Sequence, residues 1–189
     1  MATFTALFDA CVFYPAPLRD LLVSLAGEDM FLGRWTEAIH EEWTRNVIAN
    51  RPDLTPEKIL CIPGLINNSV EDCLITDYED LIPSLTLPDP DDRHVLAAAI
   101  KGRVDVIVTL NLKDFPSNYL RKFGVEAQHP DVFVKHLLGL YPNQVCFTLK
   151  EMRERLKKPP KTVDEMLVTL EKNHLTQTVE HLKAWKDLL

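Results

Sequence analysis

The chain has 189 residues, of which 46% are hydrophobic and 26% charged, and its 28 acidic against 21 basic residues give a formal charge of −7. That size suits one α/β domain with a small addition and is too short for two full enzyme domains. The composition excludes a wholly disordered, collagenous or coiled-coil chain, the acid surplus argues against a binder that relies on broad positive charge, and no apolar run approaches the roughly 18 residues of a membrane helix.

The opening MATFTALFDACVFYP has no basic leader, so it reads as a strand and a cytoplasmic, non-membrane protein is expected. Residues 3–8 form an apolar, β-rich run that ends at Asp9. Pro17 opens a helix that Gly27 stops. Trp35, Ile39, Trp43 and Val47 recur every four residues, which predicts an amphipathic helix to about Asn50 with Glu42 on the edge of its apolar face. Thr55 and Pro56 start another helix, toward Asn68, with Pro63 and Gly64 inside it. Residues 73–76 read as a short strand and PDPDDRH as a loop.

An Ala-rich helix follows from Arg93, capped by Gly102, and residues 104–110 form the clearest buried parallel strand, ending in NLKDFP. A short helix over 116–123 capped by Gly124, a strand over 125–127 and a helix over 130–140 complete the alternation. This pattern predicts a parallel α/β sheet with its ligand site beyond the carboxyl ends of the strands. Asp9 and the NLKD segment both fall at that edge.

From about Pro142 the texture becomes helical and charged, so the chain divides into a first unit over 1–141 and a helical extension over 142–189. Val163, Met166, Leu167 and Leu170, and then Val179, Leu182, Trp185 and Leu189, form apolar stripes that need burial. Lys150 to Lys161 is a basic run, which suits either solvent or a phosphate backbone. Residues 1–140 carry 12 basic against 21 acidic residues, and 141–189 carry 9 against 7, so the acid excess lies in the first unit.

Four acids stand out by position: Asp9 after the first strand, Glu42 on the third helix, Asp92 at the start of the Ala-rich helix and Asp114 after the strongest strand. Asp89 and Asp91 compete with Asp92, and Glu41 with Glu42; the helix start favours Asp92 and the spacing from Ile39 favours Glu42. Carboxylates gathered at one sheet edge repel one another, and a divalent cation relieves that repulsion. Oxygen donors without Cys or His suit Mg²⁺ or Mn²⁺, whose chemistry is phosphoryl hydrolysis. His94 beside these acids reads as an exposed helix residue. Cys11, Cys61, Cys73 and Cys146 have no zinc spacing and read as mostly buried thiols.

The strings FDACVFYP, IHEEW and DPDDRHVLAAAIKGRVDVIVTLNLKDFP, in this spacing, resemble PIN domains, especially the VapC-like group, over about residues 3–135. The resemblance implies a three-layer α/β/α fold around a parallel sheet, with the C-terminal helices as an appendage. It implies a Mg²⁺- or Mn²⁺-dependent endoribonuclease that leaves 5′-phosphate and 3′-hydroxyl ends. The family acids carry over onto Asp9, Glu42, Asp92 and Asp114, with Thr109 and Asn111 as supporting polar positions. Many relatives carry Asn or Ser where Cys11 stands, so a supporting hydrogen bond to Asp9 is expected to be missing. The implied role is the toxin of a toxin–antitoxin pair, with RNA as substrate and a small antitoxin as partner; a homodimer is compatible with it. The alternative is a catalytically inactive PIN scaffold that binds RNA or protein. A phosphatase of the haloacid-dehalogenase type requires a second Asp at the place of Cys11 and is discounted.

Overall fold

The structure, a computed structural model, describes residues 4–189. Strand β1 (Thr5–Phe8) leads into a one-turn helix α1 (Ala10–Phe13) and then α2 (Ala16–Gly27). Strand β2 (Leu32–Arg34), α3 (Glu37–Asn50) and α4 (Pro56–Ser69) follow. Two 3-10 turns, Glu79–Ser84 and Pro90–Asp92, lead into α5 (Arg93–Lys101) and β3 (Val106–Val108). A 3-10 turn at Leu112–Asp114, α6 (Ser117–Leu120), β4 (Glu126–Gln128) and α7 (Pro130–Leu140) come next. The chain ends in α8 (Pro142–Arg155), α9 (Val163–Lys172), α10 (Thr176–Leu182) and a 3-10 segment, Lys183–Leu188.

The four strands form one parallel sheet in the order β2-β1-β3-β4. Alternate residues of a strand face opposite sides of a sheet. Every residue of β1 and of β3 is buried, so helices cover both sides, giving the expected three-layer α/β/α arrangement. Ala6 pairs with Val106 and Phe8 with Val108, so β1 and β3 end together. The chain leaves β1 toward β2 on one side and returns to β3 on the other. The carboxyl ends of β1 and β3 therefore flank the topological switch point, where connections diverge and leave a crevice.

Three sequence expectations need correction. The strand expected at residues 73–76 is a single parallel bridge between Trp35 and Leu74. Strand β2 carries no strand signal in the sequence: LGR has no β-branched residue, and Gly33 is required by close packing, since a Cβ there would stand 2.8 Å from the Ala26 Cβ. Cys61 is exposed on α4, and Cys11 is partly so, whereas Cys73 and Cys146 are buried. Thr3, expected in the first strand, lies outside the described residues.

The C-terminal helices share the core of the sheet. Leu149, Leu170, Val179 and Leu182 are buried in the same apolar cluster as Leu7 and Ile107. Both predicted stripes are buried except Trp185, which is 37% exposed, and the partly buried Val163 and Leu189. Asp131 of α7 fixes the start of α10: its carboxylate accepts the backbone N–H of Gln177 at 2.9 Å and of Thr178 at 2.8 Å, while the Thr178 hydroxyl donates to the Asp131 carbonyl.

Candidate metal and active site

Asp9 sits where β1 stops. It is 3% exposed and caps α1, its Oδ1 accepting the Ala10 N–H at 2.7 Å. Its Oδ2 accepts the Thr109 hydroxyl at 2.7 Å and the Cys11 thiol at 3.1 Å. Thr109 follows β3 and is wholly buried; its oxygen in turn accepts the Asn111 N–H at 2.9 Å. Cys11 Sγ accepts the Leu110 N–H at 3.2 Å. The hydrogen bond expected to be missing at Cys11 is therefore present, with the thiol in place of a hydroxyl or amide. One carboxylate thus ties the ends of the two central strands together.

The side chains that hold Asp9 also fix its electrostatics. Burial raises its carboxyl above the usual range and the nearby Glu42 charge raises it further, while the Cys11, Thr109 and Ala10 hydrogen bonds pull it back down. Burial of Cys11 pushes its thiol far above the ordinary value, and the Asp9 charge adds to this.

Asp92 ends a 3-10 turn and stands at the N-cap position of α5, yet its side chain makes no capping hydrogen bond. Its Oδ2 is buried without a hydrogen-bond partner among the described residues. Burial, and then the charges of Asp9, Asp89, Asp114 and Glu42, push its carboxyl up to about 7. Charges from the end of β1, from α3 and from the turn after β3 thus reach Asp92 at the start of α5. The competing acids are placed otherwise: Asp89 is exposed and accepts the Asp91 N–H at 2.9 Å, while Asp91 and Glu41 are exposed.

Helix α3 is set by Thr36, whose hydroxyl accepts the Ile39 N–H at 3.1 Å, and by the buried Ile39, Trp43 and Val47. That burial leaves Glu42 at the edge of the helix, where its Oε2 lies 3.4 Å from His94 Nε2. His94 is not the exposed residue expected, since its side chain is only 18% exposed. Asp114 closes the 3-10 turn after β3 and is half-buried; Asn111 is exposed and contributes its backbone to Thr109. No sequence signal pairs Glu42 with His94, because the residues lie on different helices 52 positions apart.

The donor chemistry fits a hard divalent cation. The acids are oxygen donors, Asp92 offers an unpartnered buried oxygen, and, among the described residues, none of Asp9, Asp92 and Asp114 has an ion-pair partner. No three His, Cys, Asp or Glu side chains among the described residues are grouped tightly enough to hold an ion by themselves. Mg²⁺ commonly binds through one or two carboxylates and completes its shell with water and substrate oxygens, so this spacing is compatible with it. Two sizeable grooves, of about 990 and 760 Å³, lie elsewhere and are lined by none of the four acids.

A parallel sheet with an acid after its first strand, backed by a hydroxyl after the neighbouring strand, defines a class that sequence comparison names. The PIN domain profile matches residues 5–113, and the chain belongs to the PIN-domain family. The profile called "VapC50 C-terminal domain" matches residues 130–184, from the start of α7 to beyond α10. The chain is 40% identical over 93 residues to the Mycobacterium tuberculosis protein named "Putative ribonuclease VapC50". That match covers 49% of this chain and 54% of the relative, so the chain spans about half the length of the curated relative it matches. No solved structure matches it. No helix among the described residues is long and apolar enough to cross a membrane.

Proposed function

We propose that the protein is a metal-dependent endoribonuclease that hydrolyses RNA phosphodiester bonds, and the toxin component of a type II toxin–antitoxin pair. The observation that carries this reading is the buried, unpartnered Asp92 Oδ2 within reach of the charges of Asp9, Glu42 and Asp114. An arrangement of carboxylates that destabilise one another is poor as a structural device and suits cation binding.

In this reading Asp9, Glu42, Asp92 and Asp114 hold Mg²⁺ or Mn²⁺, directly or through water. Such an ion would supply Lewis acidity toward a phosphoryl oxygen and would make a bound water more acidic. The protein's own share is orientation. Thr109, Cys11 and the Ala10 N–H fix both Asp9 oxygens, and the short chain from β1 into α1 leaves that carboxylate little freedom. Asn111 acts through Thr109. Products carry 5′-phosphate and 3′-hydroxyl ends. A small antitoxin restrains the enzyme in a cytoplasmic setting. Residues 1–141 carry the site and 142–189 buttress it, with homodimer formation compatible with either role.

The name of the relative and this chain's own PIN-domain membership support this reading. The looseness of the acid group supports the second one, a PIN scaffold that binds RNA or protein without cutting it. Incubating the purified chain with mixed RNAs in Mg²⁺, Mn²⁺ or EDTA distinguishes the two. Cleavage that requires the metal and ends in 5′-phosphates is expected. RNA left intact in Mn²⁺, with no metal uptake, establishes the scaffold.

A further inference from the structure

Glu42 reaches the acid group from α3, and His94 meets it from the first turn of α5 with 3.4 Å between Oε2 and Nε2. The two side chains are 34% and 18% exposed, so solvent screens the contact less than it would a surface pair. The other ring nitrogen, His94 Nδ1, is buried with no hydrogen-bond partner among the described residues. Burying an unpaired polar atom is unfavourable. The adjoining residues of α5, Val95 to Ala99, are apolar and fully buried, so an aliphatic residue at 94 would pack there without that penalty. The polar contact that His94 does make is the one with Glu42. Among the described residues, His94 is also the only Lys, Arg or His within ion-pair distance of Asp9, Glu42, Asp92 or Asp114.

We infer that His94 is a positioning residue for Glu42: it holds Oε2 so that the other carboxylate oxygen stays turned toward the site for a divalent cation. The inference rests on the metal-dependent reading above. His94 acts through Glu42 and bridges α3 to α5, the two helices that carry Glu42 and Asp92. Carboxylates that ligate metals are themselves oriented by neighbouring polar groups, here by His94 at ion-pair distance, and loss of such a neighbour weakens metal binding by about 10–100-fold.

The test is calorimetric titration of Mn²⁺ into the full chain, with steady-state RNA cleavage in parallel. It compares wild type, His94→Leu, His94→Ala, His94→Gln, Glu42→Gln and the double variant Glu42→Gln/His94→Leu. His94→Leu fills the same space without a donor, so it stays informative if the alanine variant unfolds. Both are expected to weaken Mn²⁺ binding by about 10–100-fold and to lower kcat with KM for RNA unchanged. His94→Gln, whose amide can donate to Glu42, recovers most of the loss. On the Glu42→Gln background His94→Leu changes neither quantity, as coupled residues require. Unchanged or tighter Mn²⁺ binding in a folded His94→Leu protein overturns the inference, as does a further full loss in the double variant. Failure of the wild type to bind Mn²⁺ overturns the metal-dependent reading and this inference together; normal wild-type binding with indifferent variants overturns this inference alone.

Discussion

The Thr109 hydroxyl donates to Asp9 Oδ2 at 2.7 Å, joining the residue after β3 to the residue after β1 across the switch point. The bond is wholly buried and is the shortest polar contact to that carboxylate oxygen. Thr109→Val keeps the shape and removes both the donor to Asp9 and the acceptor for Asn111 N–H. Leaving such groups unsatisfied costs about 1–3 kcal/mol. The expected result is a modest loss of stability in urea and a loss of about 10–100-fold in Mn²⁺ affinity.

Cys11 makes a second, independent case. Cys11→Ser supplies a hydroxyl able to donate to Asp9 and accept from Leu110, so cleavage and stability should stay close to wild type. Cys11→Ala leaves the Leu110 N–H without its acceptor and should destabilise by about 1–3 kcal/mol. The thiol, raised by burial and by Asp9, stays protonated at neutral pH. Only the thiolate alkylates readily. Peptide mapping after brief iodoacetamide treatment of the folded protein should therefore find label on exposed Cys61 and none on Cys11.

Much of this architecture is readable from the chain. Thr5–Phe8 and Val106–Val108 are apolar runs cut off by polar residues, which is how fully buried parallel strands look, and the acids at their ends identify the sheet edge. Strand β2 is invisible because its requirement is steric: Gly33 is there to let Ala26 approach, and a glycine in a three-residue run carries no strand signal. The role of Cys11 is hidden for another reason. A cysteine's burial habit says nothing of which acceptor its thiol faces, and Asp9, Thr109 and Leu110 meet it only once β1 and β3 are adjacent. The Glu42–His94 contact is a tertiary event between helices that periodicity places separately.

Asp92 and Asp9 give the metal-free protein a defined pH dependence. Both have folded-state pKa values raised above the ordinary 3.8, Asp92 to about 7. Between those values the folded state binds more protons than the unfolded one, so stability falls as pH rises. The Asp92 contribution is complete below about 3.8 and lost as pH climbs through about 7, and Asp9 acts in the same direction. Urea midpoints of EDTA-treated protein at about pH 5 and about pH 8 should therefore separate more for wild type than for Asp92→Asn. Mn²⁺ at the higher pH should restore what the carboxylates lose. Equal separations in the two proteins remove this role from Asp92.

Asp131 ties the C-terminal helices to the sheet domain with two N–H groups of α10 on one buried carboxylate. Hydrogen bonds to a charged group are worth about 1.5–3 kcal/mol each, and partial water access moderates their sum. Asp131→Ala should lower stability by about 2–4 kcal/mol and raise hydrogen exchange first in residues 176–182. Exchange unchanged in that segment contradicts the tie.

In the proposed reading, acids from four elements form one divalent-cation centre. Manganese anomalous scattering from crystals of the full chain grown with Mn²⁺ tests it most directly. The expected result is a manganese peak within direct or single-water reach of both Asp9 and Asp92, with Glu42 or Asp114 completing the set, and no such peak in Asp9→Asn crystals. A manganese peak elsewhere, or an empty switch point in crystals soaked at saturating Mn²⁺, contradicts it.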